Sequence, residues 1–498
     1  MYLVDSANGV GCPRCQNRRI ECDRGLPGCR KCAKRGLECP GYGTKLKWVQ
    51  GVASRGKLQG KSVPSRNAAT AGFDTQAAQN VHGNRGSSSP ANQGTLQPAF
   101  LIPLSNPCLL DSQTPYVSQL LPYFNERVAR RLAWVDGPEN PWRHMVLPLI
   151  NSSETVLSSV LALTAHDLAS QYPPNDPWSE KFRATSQTYQ DKALSLLARE
   201  LSTLHGSVSR IGSDASTTLI LGSVIILCNN ELLTAQTAGW RVHLQAAREV
   251  IRAEADRLQL QQNTNRIQEF FLQEFYATSV WAQLTTFHEM DDMIVQSPLV
   301  SSRDAVFTDF LRIIHQITLA ERVKARSQLL QISQPDLIRN IDIHTQLELA
   351  KRSTICLSQA IQFWSETDRR NLGHLMWMYL HATLIYSYQA LADPTFDILI
   401  QQSRDAILTH LHSLSGNEMF VQDLVWPLFI AGTELRGSRS GQKFIERQLT
   451  AVMRISRTLD RGRVLSFLKN WWTLPDYQYK NWIELARKHP SAWDFFIA

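Results

Sequence analysis

Cys12-Pro13-Arg14-Cys15-Gln16-Asn17-Arg18-Arg19-Ile20-Glu21-Cys22, then residues 23–28, then Cys29-Arg30-Lys31-Cys32-Ala33-Lys34-Arg35-Gly36-Leu37-Glu38-Cys39, is the stretch that decides how the chain begins to fold. Six of the nine cysteines fall within these 28 residues, spaced C-x2-C-x6-C-x6-C-x2-C-x6-C. The stretch is an internal repeat: Cys12, Cys15 and Cys22 return 17 residues later as Cys29, Cys32 and Cys39. Their neighbours return with them, Arg14 as Lys31, Arg18 as Arg35, Ile20 as Leu37 and Glu21 as Glu38. The repeat predicts a pseudo-twofold unit. Each half is a C-x-x-C turn opening a short helix, followed by an extended stretch carrying the third cysteine.

Residues 1–11 have no basic n-region, which predicts that they are not a secretory signal. Clustered thiols in a reducing compartment point to metal before disulfides, which with a chance cluster are the competing readings. A structural zinc ion takes four ligands in a tetrahedron. Six thiolates complete two such sites only if two sulfurs bridge. Repeat symmetry makes the bridges an equivalent pair, most simply Cys12 and Cys29. The expectation is two Zn2+ per chain held by Cys12, Cys15, Cys22, Cys29, Cys32 and Cys39. A RING or LIM arrangement needs eight ligands with histidine among them, and the first histidine here is His82.

This spacing resembles the fungal Zn2Cys6 binuclear cluster of zinc-cluster transcription factors, and Pro27 falls where that family usually has a proline. The resemblance implies a small cluster domain that reads double-stranded DNA at G/C-rich, CGG-like triplets. The family's adjacent basic pair falls on Arg18 and Arg19, and a guanidinium can make two hydrogen bonds to guanine O6 and N7. Arg14, Arg24, Lys31, Lys34 and Arg35 are the candidate phosphate contacts. Gln16 and Glu21 depart from the basic residues usual at those places. They favour the alternative, a zinc-stabilised protein-interaction or RNA-binding scaffold that does not read DNA sequence.

Charge is segregated in the same way as cysteine. Residues 1–66 hold 14 Lys/Arg and four Asp/Glu, a formal +10, whereas the rest of the chain is at −2. A basic head on a near-neutral body predicts a polyanionic partner for the head alone. Residues 45–61, including Lys45, Lys47, Trp48, Arg55 and Lys57, read as a basic extension behind a head of residues 1–44. No a/d heptad follows, so a coiled-coil dimer is not expected. Residues 62–111 are rich in Ser, Ala, Asn, Gln and Gly and read as a flexible linker.

The remainder, residues 112–498, reads as a large all-α domain. Leu121, Phe124, Val128, Leu132 and Val135 fall at helical spacing, with Pro122 suited to a first turn. Leu157, Leu161, Leu168 and Tyr172 form a second stripe, capped from Asn151–Ser153 and stopped by Pro173-Pro174. Trp240, Leu244, Ala247 and Ile251 form a third. The stretches 120–150, 240–251 and 426–432 resemble the second fungal-specific transcription factor domain, which accompanies zinc clusters in regulators of amino-acid, nitrogen and secondary metabolism. The longest apolar run, Thr218–Cys228, is far short of the ~20 residues that span a membrane.

No catalytic constellation is visible. His288-Glu289 lacks a second histidine four residues on, and Gly437-Ser438-Arg439-Ser440-Gly441 has Arg where a nucleophile is needed. The aromatic tail, Trp471, Trp472, Trp482, Trp493, Phe495 and Phe496, and the scattered Cys108, Cys228 and Cys356 read as core filler. The expected function is a nuclear, sequence-specific RNA polymerase II transcription factor of metabolic genes, not an enzyme. Its expected partners are DNA and the transcription machinery, with the helical body as a candidate homodimer surface.

Overall fold

The computed structural model describes residues 14–15, 18, 20–23, 29–35, 37 and 39 near the N-terminus. Beyond these it describes residues 117–206, 214–233, 239–260, 265–287, 306–330, 340–391, 397–414, 420–456, 461–475, 477–490 and 497. The chain divides into two compact units, Met1–Gln97 and Pro98–Ala498. The expected basic extension, the linker and the boundaries at residues 44, 61 and 111 lie outside the described residues.

In the first unit the helix α1, Arg30–Ala33, is a single turn behind Cys29. Arg14 and Cys15 lie in the matching turn of the first half. The second unit is mostly helical in its described residues, its helices joined by turns and short irregular segments, with no strand among them. Its helices are α2 (Val117–Tyr123), α3 (Ala129–Leu132), α4 (Leu147–Leu149), α5 (Glu154–Ala169), α6 (Pro177–Gly206), α7 (Asp214–Leu232), α8 (Trp240–Leu260) and α9 (Arg266–Thr285). They continue as α10 (Thr308–Leu330), α11 (Asn340–Ala360), α12 (Glu366–Leu391), α13 (Asp397–Ser413), α14 (Val425–Thr433), α15 (Arg439–Ser456), α16 (Arg461–Thr473) and α17 (Trp482–Lys488).

α5 and α14 are buried almost all round, and α12 joins them in the interior. In α5 the first turn is closed by Ser153, whose Oγ accepts the Val156 N–H at 3.2 Å, and nearly every side chain behind it is buried. In α14 every residue from Val425 to Thr433 is buried. α12 packs against α10, α11, α13 and α14, which accounts for its burial on several faces. α5 packs on α6 and α7, and α7 on α8. The predicted stripe of α8 faces this core, with Trp240, Leu244, Ala247 and Ile251 all buried.

Two tryptophans of the tail have a defined task. Trp471 Nε1 donates to the Thr433 carbonyl and Trp472 Nε1 to the Gly432 carbonyl, both at 2.8 Å. The Thr433 carbonyl lies at the end of α14, and the Gly432 carbonyl also accepts the Leu435 N–H at 3.2 Å, so the two indoles tie α16 to that helix end. Trp482 is fully buried and donates to Gln389 Oε1 at 2.7 Å. Trp493, Phe495 and Phe496 lie outside the described residues.

Pro122 is not in a first turn. It sits inside α2, and Phe124–Val128 follows as a π-helical turn in which the Ala129 N–H donates to the Phe124 carbonyl. Proline lacks the N–H that the regular ladder needs, and a shifted hydrogen-bond register beside it accommodates the loss. The stripe still faces inward: Leu121, Phe124 and Val128 are buried, Leu132 and Val135 partly so. Cys228 is buried as expected, but Cys356 is exposed on α11, and Cys108 lies outside the described residues. Gly437 takes a positive φ of 75° in the turn that leads into α15. The Gly437–Gly441 run is therefore a helix entry and not a nucleophile turn.

Candidate functional site

The repeat is written into the backbone of the head. The Ile20 N–H donates to the Cys15 carbonyl at 3.1 Å, and the Leu37 N–H donates to the Cys32 carbonyl at 3.2 Å. These are equivalent bonds, because Cys15 corresponds to Cys32 and Ile20 to Leu37. In each half the chain leaves the cysteine turn by the same reverse bend before it reaches the third cysteine.

The sulfurs gather at the centre. Cys15, Cys29 and Cys32 are fully buried; Cys22, Cys39 and Ile20 pack against them, partly exposed. Cys15 Sγ lies 3.6 Å from Cys29 Sγ. A disulfide would bring them to ~2.05 Å. Two sulfurs on one zinc tetrahedron are ~3.8 Å apart, given Zn–S bonds of ~2.3 Å. The observed spacing is that of co-ligands.

Cysteine 29 has a double position. The ligand atoms of Cys15, Cys29 and Cys32 lie within 4.8 Å of one another, and so do those of Cys22, Asp23 and Cys29. Cys29 belongs to both groups, the place a bridging thiolate would take. Its Sγ also accepts the Cys32 N–H at 3.3 Å, capping α1. Cys12, the expected second bridge, lies outside the described residues.

Asp23 was not legible as a functional residue in the sequence. Its carboxylate accepts the Arg30 N–H at 2.9 Å and the Lys31 N–H at 3.1 Å. The Arg30 N–H above all, with that of Lys31 and the Arg30 charge, holds the Asp23 carboxyl below its usual range. The bond ties the segment after Cys22 to the start of α1, and so fixes Cys29 and Cys32 relative to Cys22. An acidic residue directly behind the third cysteine was the available signal.

Arg14, Lys31, Lys34 and Arg35 are exposed around the sulfur core. Arg18 is half-buried, and its Nη1 is enclosed with no hydrogen-bond partner among the described residues. Arg19 and Arg24 lie outside the described residues. Arg30, not among the expected contacts, is also exposed beside Lys31. A shell of cations on a closed thiolate core can meet phosphates without any one of them carrying a buried charge.

In the second unit, Arg131, Asp167, Asn229, Gln422 and Arg461 line a cavity of about 30 Å³, room for a water-sized guest. No helix among the described residues is long and apolar enough to cross a membrane.

The chain matches the family described as the fungal specific transcription factor domain over residues 119–498. Residues 10–49 match the fungal Zn(2)-Cys(6) binuclear cluster domain, which binds two zinc ions and DNA. Among characterised proteins it is similar to the acriflavine sensitivity control protein acr-2 of Neurospora crassa, at 28% identity over 167 residues. That match covers 32% of this chain and 26% of the relative's length. No solved structure matches the chain. With the cluster at its head and the family's helical domain over most of its length, the chain belongs to the fungal zinc-cluster transcription regulators.

Proposed function

We propose that this protein is a sequence-specific RNA polymerase II transcription factor that works in the nucleus. It reads G/C-rich, CGG-like triplets and governs metabolic genes, of a secondary-metabolite cluster or of amino-acid and nitrogen metabolism. Residues 1–44 form the DNA-binding domain, 45–61 a basic extension, 62–111 a flexible linker and 112–498 the regulatory body. Cys12, Cys15, Cys22, Cys29, Cys32 and Cys39 hold two Zn2+, with Cys12 and Cys29 as bridges. Zinc supplies the fold of the head, since a unit this small buries too little apolar surface to hold itself. Arg18 and Arg19 read bases, and Arg14, Arg24, Lys31, Lys34 and Arg35 hold phosphates. The body recruits the transcription machinery and pairs with a second copy.

The observation that carries this reading is the position of Cys29, common to two ligand groups beneath an exposed cationic shell. Selection of bound sites from random duplex DNA by the full chain tests it. An enriched G/C triplet is expected. Arg18→Ala should cost about 1–3 kcal/mol at the selected site and relax its preference. Lys34→Ala should weaken all sequences alike and flatten the salt slope by about one. The absence of any enrichment at moderate salt would favour a zinc-stabilised scaffold. Sedimentation of the full chain tests pairing. Promoter occupancy separates metabolic targets from the drug-sensitivity control named for the Neurospora relative.

A further inference from the structure

α15 has two opposed faces. Its buried residues, Ile445, Leu449, Val452 and Ser456, share one narrow arc, and the helix packs on α14 and α16. On the other side Arg439, Lys443, Arg447, Thr450 and Arg454 follow one another at i, i+4, i+8, i+11 and i+15, all exposed. At 3.6 residues per turn these five fall within about 80°, centred about 150° round the helix from the buried arc. They make a straight stripe about 22 Å long at 1.5 Å per residue. The acid of α15, Glu446, lies to the side of the stripe and is paired with Lys469 of α16. None of the four cations has an acidic partner among the described residues.

The formal −2 of the chain beyond residue 66 hides this face, because the helix gathers cations that composition averages away. The stripe works against the helix that carries it. Like charges four residues apart weaken a helix, and so does positive charge in its first turn, where Arg439 stands. Its use therefore lies outside the fold. A protein partner would want an apolar or aromatic centre, and the only other side chains along the arc are Ser440 and Thr450. A polyphosphate asks only for cations along a line. The cluster domain already binds DNA, and a body joined to it meets the same duplex at raised effective concentration. We propose that the Arg439–Lys443–Arg447–Arg454 stripe is a second, sequence-independent DNA-backbone surface, which holds duplex flanking the site held by the head. It rests on the head's binding of DNA and not on its triplet preference.

Zinc-loaded full-length protein is titrated with a short duplex carrying one CGG triplet, and with the same duplex extended by about two helical turns, longer than the stripe. The extension should tighten binding at least tenfold at moderate salt. The combined variant Arg439→Gln, Lys443→Gln, Arg447→Gln, Arg454→Gln should lose that gain, and its salt slope on the long duplex should fall by about two or more. Its affinity for the short duplex and its helical circular dichroism should not change, since all four side chains stand clear of the core. Removing equal charge elsewhere, by Arg199→Gln, Arg252→Gln, Arg266→Gln and Arg370→Gln on α6, α8, α9 and α12, should keep the gain. No gain in the wild type, a gain or slope retained in the stripe variant, or an equal loss in both variants would overturn the proposal. So would a stripe variant that loses binding to poly-glutamate but not to the long duplex, which would give the face to an acidic protein. Triplet reading by the head fails separately, as equal affinity for short duplexes with and without the triplet, and leaves the gain from extension readable.

Discussion

Cys29, the first cysteine of the second half-motif, lies 3.6 Å by its sulfur from Cys15, the second cysteine of the first half-motif. The two halves of the repeat are therefore not two separate sites side by side. Each contributes to a shared sulfur core, and a metal centre there joins segments that are distant along the chain.

Asp23 supports that junction from outside the sulfur set. Asp23→Ala removes the acceptor for the Arg30 and Lys31 N–H groups and loosens the start of α1. Zinc release to a chelator should become severalfold faster than in the wild type. Asp23→Asn, which keeps one acceptor oxygen, should fall between the two. Stopped-flow capture of the released zinc reads this directly.

Two glycines of the body should respond in opposite directions. A Cβ on Gly222 would lie 2.5 Å from the Phe271 ring, which is fully buried and has no room to withdraw. Gly222→Ala should cost about 1–3 kcal/mol through overpacking. A Cβ on Gly373 in α12 meets nothing within 4 Å. Gly373→Ala should gain about 0.5–1 kcal/mol from helix propensity and a less flexible unfolded chain. Urea denaturation of both variants checks the pair.

Burial pushes the Glu274 carboxyl up to about 8. Between its ordinary value of 4.5 and about 8, the unfolded chain gives up a proton that the folded chain keeps. Stability of the wild type should thus fall as pH rises through that window and level off above it. Glu274→Gln removes this dependence and should be the more stable protein at pH 8.5, by about 1–3 kcal/mol. Denaturation at pH 6 and pH 8.5 measures it; an equal difference at both would remove Glu274 as the cause.

The cysteines outside the cluster should differ in reactivity. Burial pushes the Cys228 thiol up to about 12, and its Sγ faces the Trp240 carbonyl at 3.7 Å. Cys356 is exposed. A thiol reagent applied to zinc-loaded protein should label Cys356 within minutes and Cys228 only on unfolding, as peptide mapping would show.

The head was legible because its constraint is local and chemical. Metal ligands must recur at fixed spacing, and the Ile20 and Leu37 echo even marked the residues whose N–H groups make the equivalent bends. Asp23 was not legible, because what makes it matter is a bond to a helix start seven residues on that only folding brings near. In the body, Ser153, Leu157 and Trp240 stood out by capping and period, since a helix core needs one apolar face. Pro122 departs from its expected place in a first turn because α2 extends upstream of the apolar stripe, to Val117. The exposure of Cys356 is not legible in the sequence, because composition does not say which face of α11 a neighbour covers. The pairing of His374 and His381 on α12 with His410 and Ser403 on α13 depends on an antiparallel register that neither helix encodes alone.

In the proposed cluster two zinc ions share six thiolates, with Cys29 common to both. Element analysis of purified full-length protein, wild type and Cys29→Ala, tests it most directly. Two zinc ions per chain are expected in the wild type and loss of both in Cys29→Ala, with the helical circular dichroism of the body retained. A wild-type content near one, or two ions retained in Cys29→Ala, would contradict it.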